Sequence, residues 1–151
     1  MQPTRDTSQS IRALILAVVV FGLVGTTTDL VFLEHYEEAT MLIPLGMNAL
    51  AVAAVVLYAL AQTRLTVRLL QVVMALLVVT SAVGVVLHYR GSLEFQIDMD
   101  PTLSASALFW KVMHMKAPPT LAPGVLAQLG LLGLVATFRH PVLRKAGSTQ
   151  E

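Results

Sequence analysis

Long apolar stretches alternate with short polar connections along this chain. Four of the stretches are each about 20 residues long, which is enough for an α-helix to cross the roughly 30 Å hydrocarbon core of a bilayer. They lie at 13–33, 42–61, 69–87 and 121–138. The pattern predicts an all-α fold, an integral membrane four-helix bundle made of two antiparallel hairpins. Tails at 1–10 and 139–151 are expected to flank this transmembrane domain at 11–138.

The connection at 88–120 carries two patterns of its own. Polar and apolar residues alternate over 93–99, which predicts an extended strand. After the turn at 100–101, Ser104 is expected to cap a short extramembrane helix that covers the outer face of the bundle. Trp110 in this helix is a candidate membrane-interface anchor, because tryptophan is enriched at the boundary between lipid and water.

Composition narrows the classes of function. The chain is 56% hydrophobic and only 13% charged, with a net charge of +1, whereas a soluble domain has about 25% charged residues. This charge gives no attraction to nucleic acid, and the absence of cysteine excludes disulfide exchange and thiolate metal ligands. The sequence has no Gly-x-Ser-x-Gly elbow and no phosphate-binding glycine loop, so a protein without enzymatic activity is favoured over an enzyme.

Basic residues are unevenly divided between the two predicted sides. The first and third connections hold only three of them: Arg90, Lys111 and Lys116. The two tails and the turn at 62–68 hold the other seven: Arg5, Arg12, Arg64, Arg68, Arg139, Arg144 and Lys145. The positive-inside rule therefore predicts a multi-pass protein of the plasma (inner) membrane with both termini in the cytoplasm.

Histidine and carboxylate side chains gather at the predicted outer ends of helices 1 and 3. The candidate ion or metal ligands are Asp29, Glu34, His35, Glu38 and His88. Two imidazoles with carboxylates suit Zn²⁺, Mn²⁺ or Fe²⁺. The spacing matches no ligand motif, so no cofactor is predicted, and solvated interfacial residues are the alternative. If helix 1 continues past Leu33, Glu34 and Glu38 share one face.

Asp29 stands apart because it lies about one turn inside the apolar boundary. An ionisable residue at membrane depth is a candidate for binding a cation, relaying a proton or pairing with Arg90. The alternative is that the boundary lies one turn earlier and water reaches this carboxylate.

Two further polar features have candidate roles. Met113, His114 and Met115 carry thioether and imidazole groups that suit Cu(I), although successive helical residues point in different directions. Gln128 lies deep in the fourth span and is expected to form an interhelical hydrogen bond inside the bundle.

Small residues at 46, 49 and 53 share one face of helix 2 and predict close packing against a helix of this chain or of another. The leading hypothesis is an accessory or interaction subunit of a membrane complex, with a membrane-protein partner or a second copy of this chain. A small oligomeric transporter with Asp29 as its site, and a metal-binding membrane protein using the outer cluster, are the alternatives.

Overall fold

The computed structural model describes residues 3–144, with side chains from residue 7, and within that range it contains α-helices and no strand. The predicted all-α class is confirmed. The helices are α1 (Pro3–Phe32), α2 (Leu42–Leu60), α3 (Arg64–Met99), α4 (Ala105–Met113), α5 (Leu121–Thr137) and α6 (Pro141–Arg144). A 3-10 turn at Ala39–Met41 leads into α2. The outermost parts of both predicted tails, residues 1–2 and 145–151, lie outside the described range.

Four apolar helices pack side by side in an antiparallel arrangement. α3 contacts α2 and α5, and α1 contacts the same two helices from the opposite side. Leu23, Leu70, Met74 and Leu77 are fully buried where these helices meet. We call the end with the α1–α2 and α3–α5 connections the acidic end, and the end with the α2–α3 turn and Arg12 the basic end.

Three of the helices have the length and apolar character that a bilayer crossing requires: α1, α2 and α3. α5 is also apolar but has 17 residues, the lower limit for a span. Large apolar side chains point outward along all of them; Phe21 and Phe32 are each 81% exposed. Such a surface suits lipid tails rather than water, and it supports an integral membrane protein.

α5 approaches α3 very closely because two glycines face that helix. A Cβ atom at Gly130 would lie 2.7 Å from the Met74 carbonyl oxygen and 2.8 Å from Val78 Cγ2. A Cβ atom at Gly133 would overlap the Met74 side chain. The absence of side chains at these two positions lets the two backbones touch, as small residues do in other membrane helix pairs.

Polar contacts at the basic end join α1, α2 and α5. The Arg12 guanidinium donates hydrogen bonds to the carbonyls of Ala136 and Phe138, and the second of these measures 2.9 Å. These carbonyls end α5 and have no partners within the helix, so Arg12 satisfies them. Buried His140 lies 3.1 Å from the Tyr58 hydroxyl, and its Nδ1 accepts a 3.4 Å hydrogen bond from the Val142 N–H.

The predicted strand at 93–99 is wrong, because α3 continues without interruption to Met99. Tyr89 and Gln96 lie two turns apart on the side of α3 that packs against α4, so helical periodicity also fits this segment. The helix ends at Asp100, since a residue before proline disfavours the α conformation. The N-cap role of Ser104 is confirmed: its hydroxyl accepts from the Ala107 N–H, and α4 follows.

The helix boundaries differ from the predicted spans mainly at two places. α1 begins at Pro3, so most of the predicted tail at 1–10 is helical; proline is well suited to the first position of a helix. α3 extends beyond the predicted span at both ends and reaches 36 residues, or about 54 Å at 1.5 Å per residue. α3 therefore projects well beyond α2 at the acidic end.

Candidate functional site

A cavity of about 910 Å³ lies at the acidic end, between α1, α2, α3 and α5. Its walls are mainly apolar. The contributing side chains include Leu30, Leu33, Ile43, Pro44, Val83, Leu87, Phe95, Pro123, Val125 and Leu126. The cavity lies on the acidic-end side of the glycine contacts that join α3 and α5. Its volume falls within the range of small-molecule sites, about 300–1,000 Å³.

Five titratable side chains line this cavity. Asp29 and His35 come from α1 and the turn after it, Glu38 from the approach to α2, and His88 and Glu94 from α3. Four of the five predicted ion or metal candidates are therefore brought to one cavity. Glu34 is the fifth; it is exposed and does not line the cavity.

The turn after α1 explains why His35 lines the cavity and Glu34 does not. α1 ends at Phe32, so the condition under which Glu34 and Glu38 would share a helical face is not met. Glu34 adopts a left-handed conformation with φ 53°. The His35 N–H donates to the Leu30 carbonyl at 2.9 Å, and the Glu34 N–H donates to the Val31 carbonyl at 3.1 Å. This is a Schellman motif, which reverses the chain direction at the helix end.

The two cavity histidines stack on each other. The ring centroids of His35 and His88 are 6.1 Å apart and the ring planes differ by 19°. The contact joins the α1–α2 connection to α3 across the cavity. Among residues 3–144, no three histidine, aspartate or glutamate side chains are grouped closely enough to hold a metal ion.

A hydrogen-bonded layer lies beneath the cavity. Thr26 lines the cavity and accepts a 3.0 Å hydrogen bond from the Asn48 side-chain amide, which makes a second 3.0 Å bond to Thr27. Asn48 is 1% exposed, and its Oδ1 is buried without a hydrogen-bond partner among the described residues. Farther down, Leu23, Leu77 and Met74 are fully buried in the bundle core.

The structure places the predicted copper candidates in different surroundings. Met115 lines the cavity, Met113 is half-buried, and His114 is exposed with its Nδ1 donating to the Trp110 carbonyl at 2.8 Å. Trp110 itself is 60% exposed on α4, which packs along the projecting part of α3 through a contact between Tyr89 and Phe109. α4 therefore lies beside α3 at the acidic end.

Gln128 lies on the exposed side of α5, away from the interior position that the sequence suggested. Gln128 and Gly130 are two residues apart, which is about 200° around a helix. Because Gly130 faces α3, Gln128 must face outward. Interior polar positions are instead taken by Asn48 and Ser81, whose hydroxyl donates to the Pro123 carbonyl at 2.5 Å.

Glu94 and Phe95 are cavity residues that sequence reasoning did not identify as part of a site. The signal was present, because His88, Gly91 and Phe95 are spaced three and four apart and share a helical face that lines the cavity. Treating 93–99 as a strand concealed it.

Comparisons with protein-family models, with characterised proteins and with solved structures found no match to this chain.

Proposed function

We propose that this chain is a non-enzymatic, four-span membrane protein that binds a small ligand in the cavity at its acidic end. The observation that carries the proposal is the cavity of about 910 Å³, which has apolar walls and collects five titratable side chains from three parts of the chain. Large apolar pockets with a few convergent polar groups are the usual form of small-molecule sites.

The four-span topology rests on charge and length. α5 is at the lower limit of spanning length, and it packs antiparallel to α3 along the same bundle. The excess of basic residues at one end supports both termini in the cytoplasm of a cell's plasma (inner) membrane. Because the chain has no cysteine, single-cysteine variants give a clean test. A membrane-impermeant maleimide should label Glu37→Cys and not Gln62→Cys in intact cells. The reverse labelling would invert the topology, and labelling of both would contradict it.

Binding is favoured over passage because buried side chains lie below the cavity. Leu23, Leu77 and Met74 pack in the bundle core between the cavity and the basic end. A transporter would need either an oligomer or a second conformation to continue the path. Asp29, the predicted transport residue, lines the cavity and would serve the binding step in either case.

The test compares what the protein retains when it is extracted from native membranes with a lipid-preserving polymer. Gly91→Trp places a large ring in the cavity at a position where an added Cβ meets nothing within 4 Å. Gly25→Trp is the matched control, since Gly25 is equally open and lies outside the cavity. Mass spectrometry should find a small molecule bound to the wild type and to Gly25→Trp, and depleted in Gly91→Trp. Equal small-molecule content in all three proteins would refute the proposal.

A second candidate function, membership of a membrane complex, is favoured by one face of α2. Gly46, Ala49 and Ala53 share this face and are all exposed, so no helix of this chain uses it. The face fits a transmembrane helix of another protein or of a second copy. Ala49→Trp should abolish co-extraction of a stoichiometric partner, while Val135→Trp, at a lipid-facing position of α5, should not. A monomer without partners in gentle extraction would exclude this function.

A further inference from the structure

We propose that the ligand of the cavity is an amphipathic organic cation, with its apolar body against the cavity walls and its cationic group among the carboxylates. This inference rests on the proposed function, because it assigns a chemical class to the ligand of the same cavity. It follows from the charge of the lining, the apolar walls and the absence of a grouped metal site.

The titratable part of the lining is three acids and two histidines, and Arg90 lies one helical turn from Glu94 on α3. Asp29, Glu38 and Glu94 line the cavity, and no lysine or arginine does so among the described residues. Arg90, which is close to this region in sequence, is exposed on α3 outside the lining. Three carboxylates that face one apolar-walled space repel an anion and attract a cation, and the low-dielectric walls strengthen that preference.

The walls require an organic ligand. Leu30, Ile43 and Leu87 come from three different helices and present hydrocarbon to the same space. Phe95 adds an aromatic ring, which can hold a cationic group over its face. A hydrated inorganic ion would leave these walls in contact with water, whereas an amphipathic cation satisfies both the walls and the acids.

A metal ion fits the same lining less well. Among residues 3–144 no three candidate ligands are grouped to surround one ion. His35 and His88 stack with their ring centroids 6.1 Å apart. This pair and Phe95 line the same cavity as the carboxylates, which suits a bulky cation.

The test uses two ions of the same shape and opposite charge, tetraphenylphosphonium and tetraphenylborate, with the full chain in lipid nanodiscs and empty nanodiscs subtracted. Asp29→Asn, Glu38→Gln and Glu94→Gln are combined to remove the charge of the cavity while its shape is kept. The matched control combines Glu34→Gln with Glu37→Gln, which neutralises nearby acids that do not line the cavity. Binding is measured by equilibrium dialysis for each protein, and again with Gly91→Trp.

Tetraphenylphosphonium should bind the wild type and the control alike, and the neutralised variant should bind it at least about tenfold more weakly, since the loss of complementary charges at close range raises Kd. Gly91→Trp should also prevent binding. Tetraphenylborate binding of equal or greater strength, blocked by Gly91→Trp, would overturn the cation class and leave the cavity as a ligand site. If Gly91→Trp affects the binding of neither ion, the cation class fails. The proposed function fails with it only if native extraction also finds no ligand sensitive to Gly91→Trp.

Discussion

The contact between α3 and α5 makes a sharp prediction at Gly130. Replacement of Gly130 by alanine adds a Cβ atom that would lie 2.7 Å from the Met74 carbonyl oxygen, 2.8 Å from Val78 Cγ2 and 3.3 Å from Val78 N. Ordinary van der Waals contact begins at 3.4 Å. Since two of these atoms belong to a helix backbone that cannot rotate away, α5 has to move from α3 by several tenths of an ångström.

The expected cost follows from two opposing effects. Overpacking a close-packed interior costs about 1–3 kcal/mol, and contact with backbone places Gly130→Ala near the upper end of this range. Alanine in place of glycine stabilises a helix by up to about 1 kcal/mol. The net destabilisation is therefore about 2 kcal/mol, which corresponds to a fall in Tm of about 4–8 °C for a chain of this size.

Two other glycines of α5 serve as controls. Gly124 has open space around the added Cβ, so Gly124→Ala should keep or slightly raise the Tm. Gly133→Ala should fall between the two variants, because its clash is with the Met74 side chain, and that chain is flexible.

The assay is thermal unfolding in one mild detergent, monitored by circular dichroism. From most to least stable, the expected order is Gly124→Ala, then Gly133→Ala, then Gly130→Ala. If Gly130→Ala is as stable as Gly124→Ala, the close approach of the two backbones is refuted.

Three further predictions concern the ends of the bundle. Burial, and secondarily the charge of Arg12, lowers the pKa of His140 below its ordinary 6.5. The unfolded chain then binds more protons than the folded one, so Tm should fall as the pH drops below about 6.5, and His140→Gln should reduce this slope. Arg12→Ala leaves two carbonyls at the end of α5 unpaired and should lower the free energy of unfolding by about 1–2 kcal/mol. Arg64→Ala, at an exposed position, should change it by less than about 0.5 kcal/mol. Equal effects of the two substitutions in a chemical-unfolding titration would contradict the capping role of Arg12. Glu34→Gly relieves the backbone strain of a left-handed residue and should raise the free energy of unfolding by about 1 kcal/mol. Glu37→Gly, at an exposed position outside the Schellman motif, should give no gain in the same titration.

The apolar pattern predicted the helices well because a stretch of about 20 apolar residues has few structural alternatives. Ser104 was also predictable, since capping is a local effect. The strand at 93–99 failed because alternation over seven residues is a short signal, and α3 continues through the segment to Met99 with its apolar residues on two opposite sides.

The cavity itself depends on contacts that are distant in sequence. His35 reaches it only through the left-handed conformation of Glu34, and a non-glycine residue gives little sign of such a turn. The outward position of Gln128 follows from Gly130 once the packing face of α5 is known. Four of the five titratable residues of the cavity were candidates from the sequence, but Glu94, Phe95 and the apolar walls were not, because they depend on how four helices meet.

The uninterrupted length of α3 gives this small protein a mechanical lever. One helix joins Phe95 at the cavity wall to Arg64 at the opposite end of the bundle, over about 46 Å. A rigid rod of that length moves its far end by about 0.8 Å for each degree of tilt. If α3 moves as such a rod, a ligand that pushes Phe95 outward would displace the α2–α3 turn at the opposite end of the bundle.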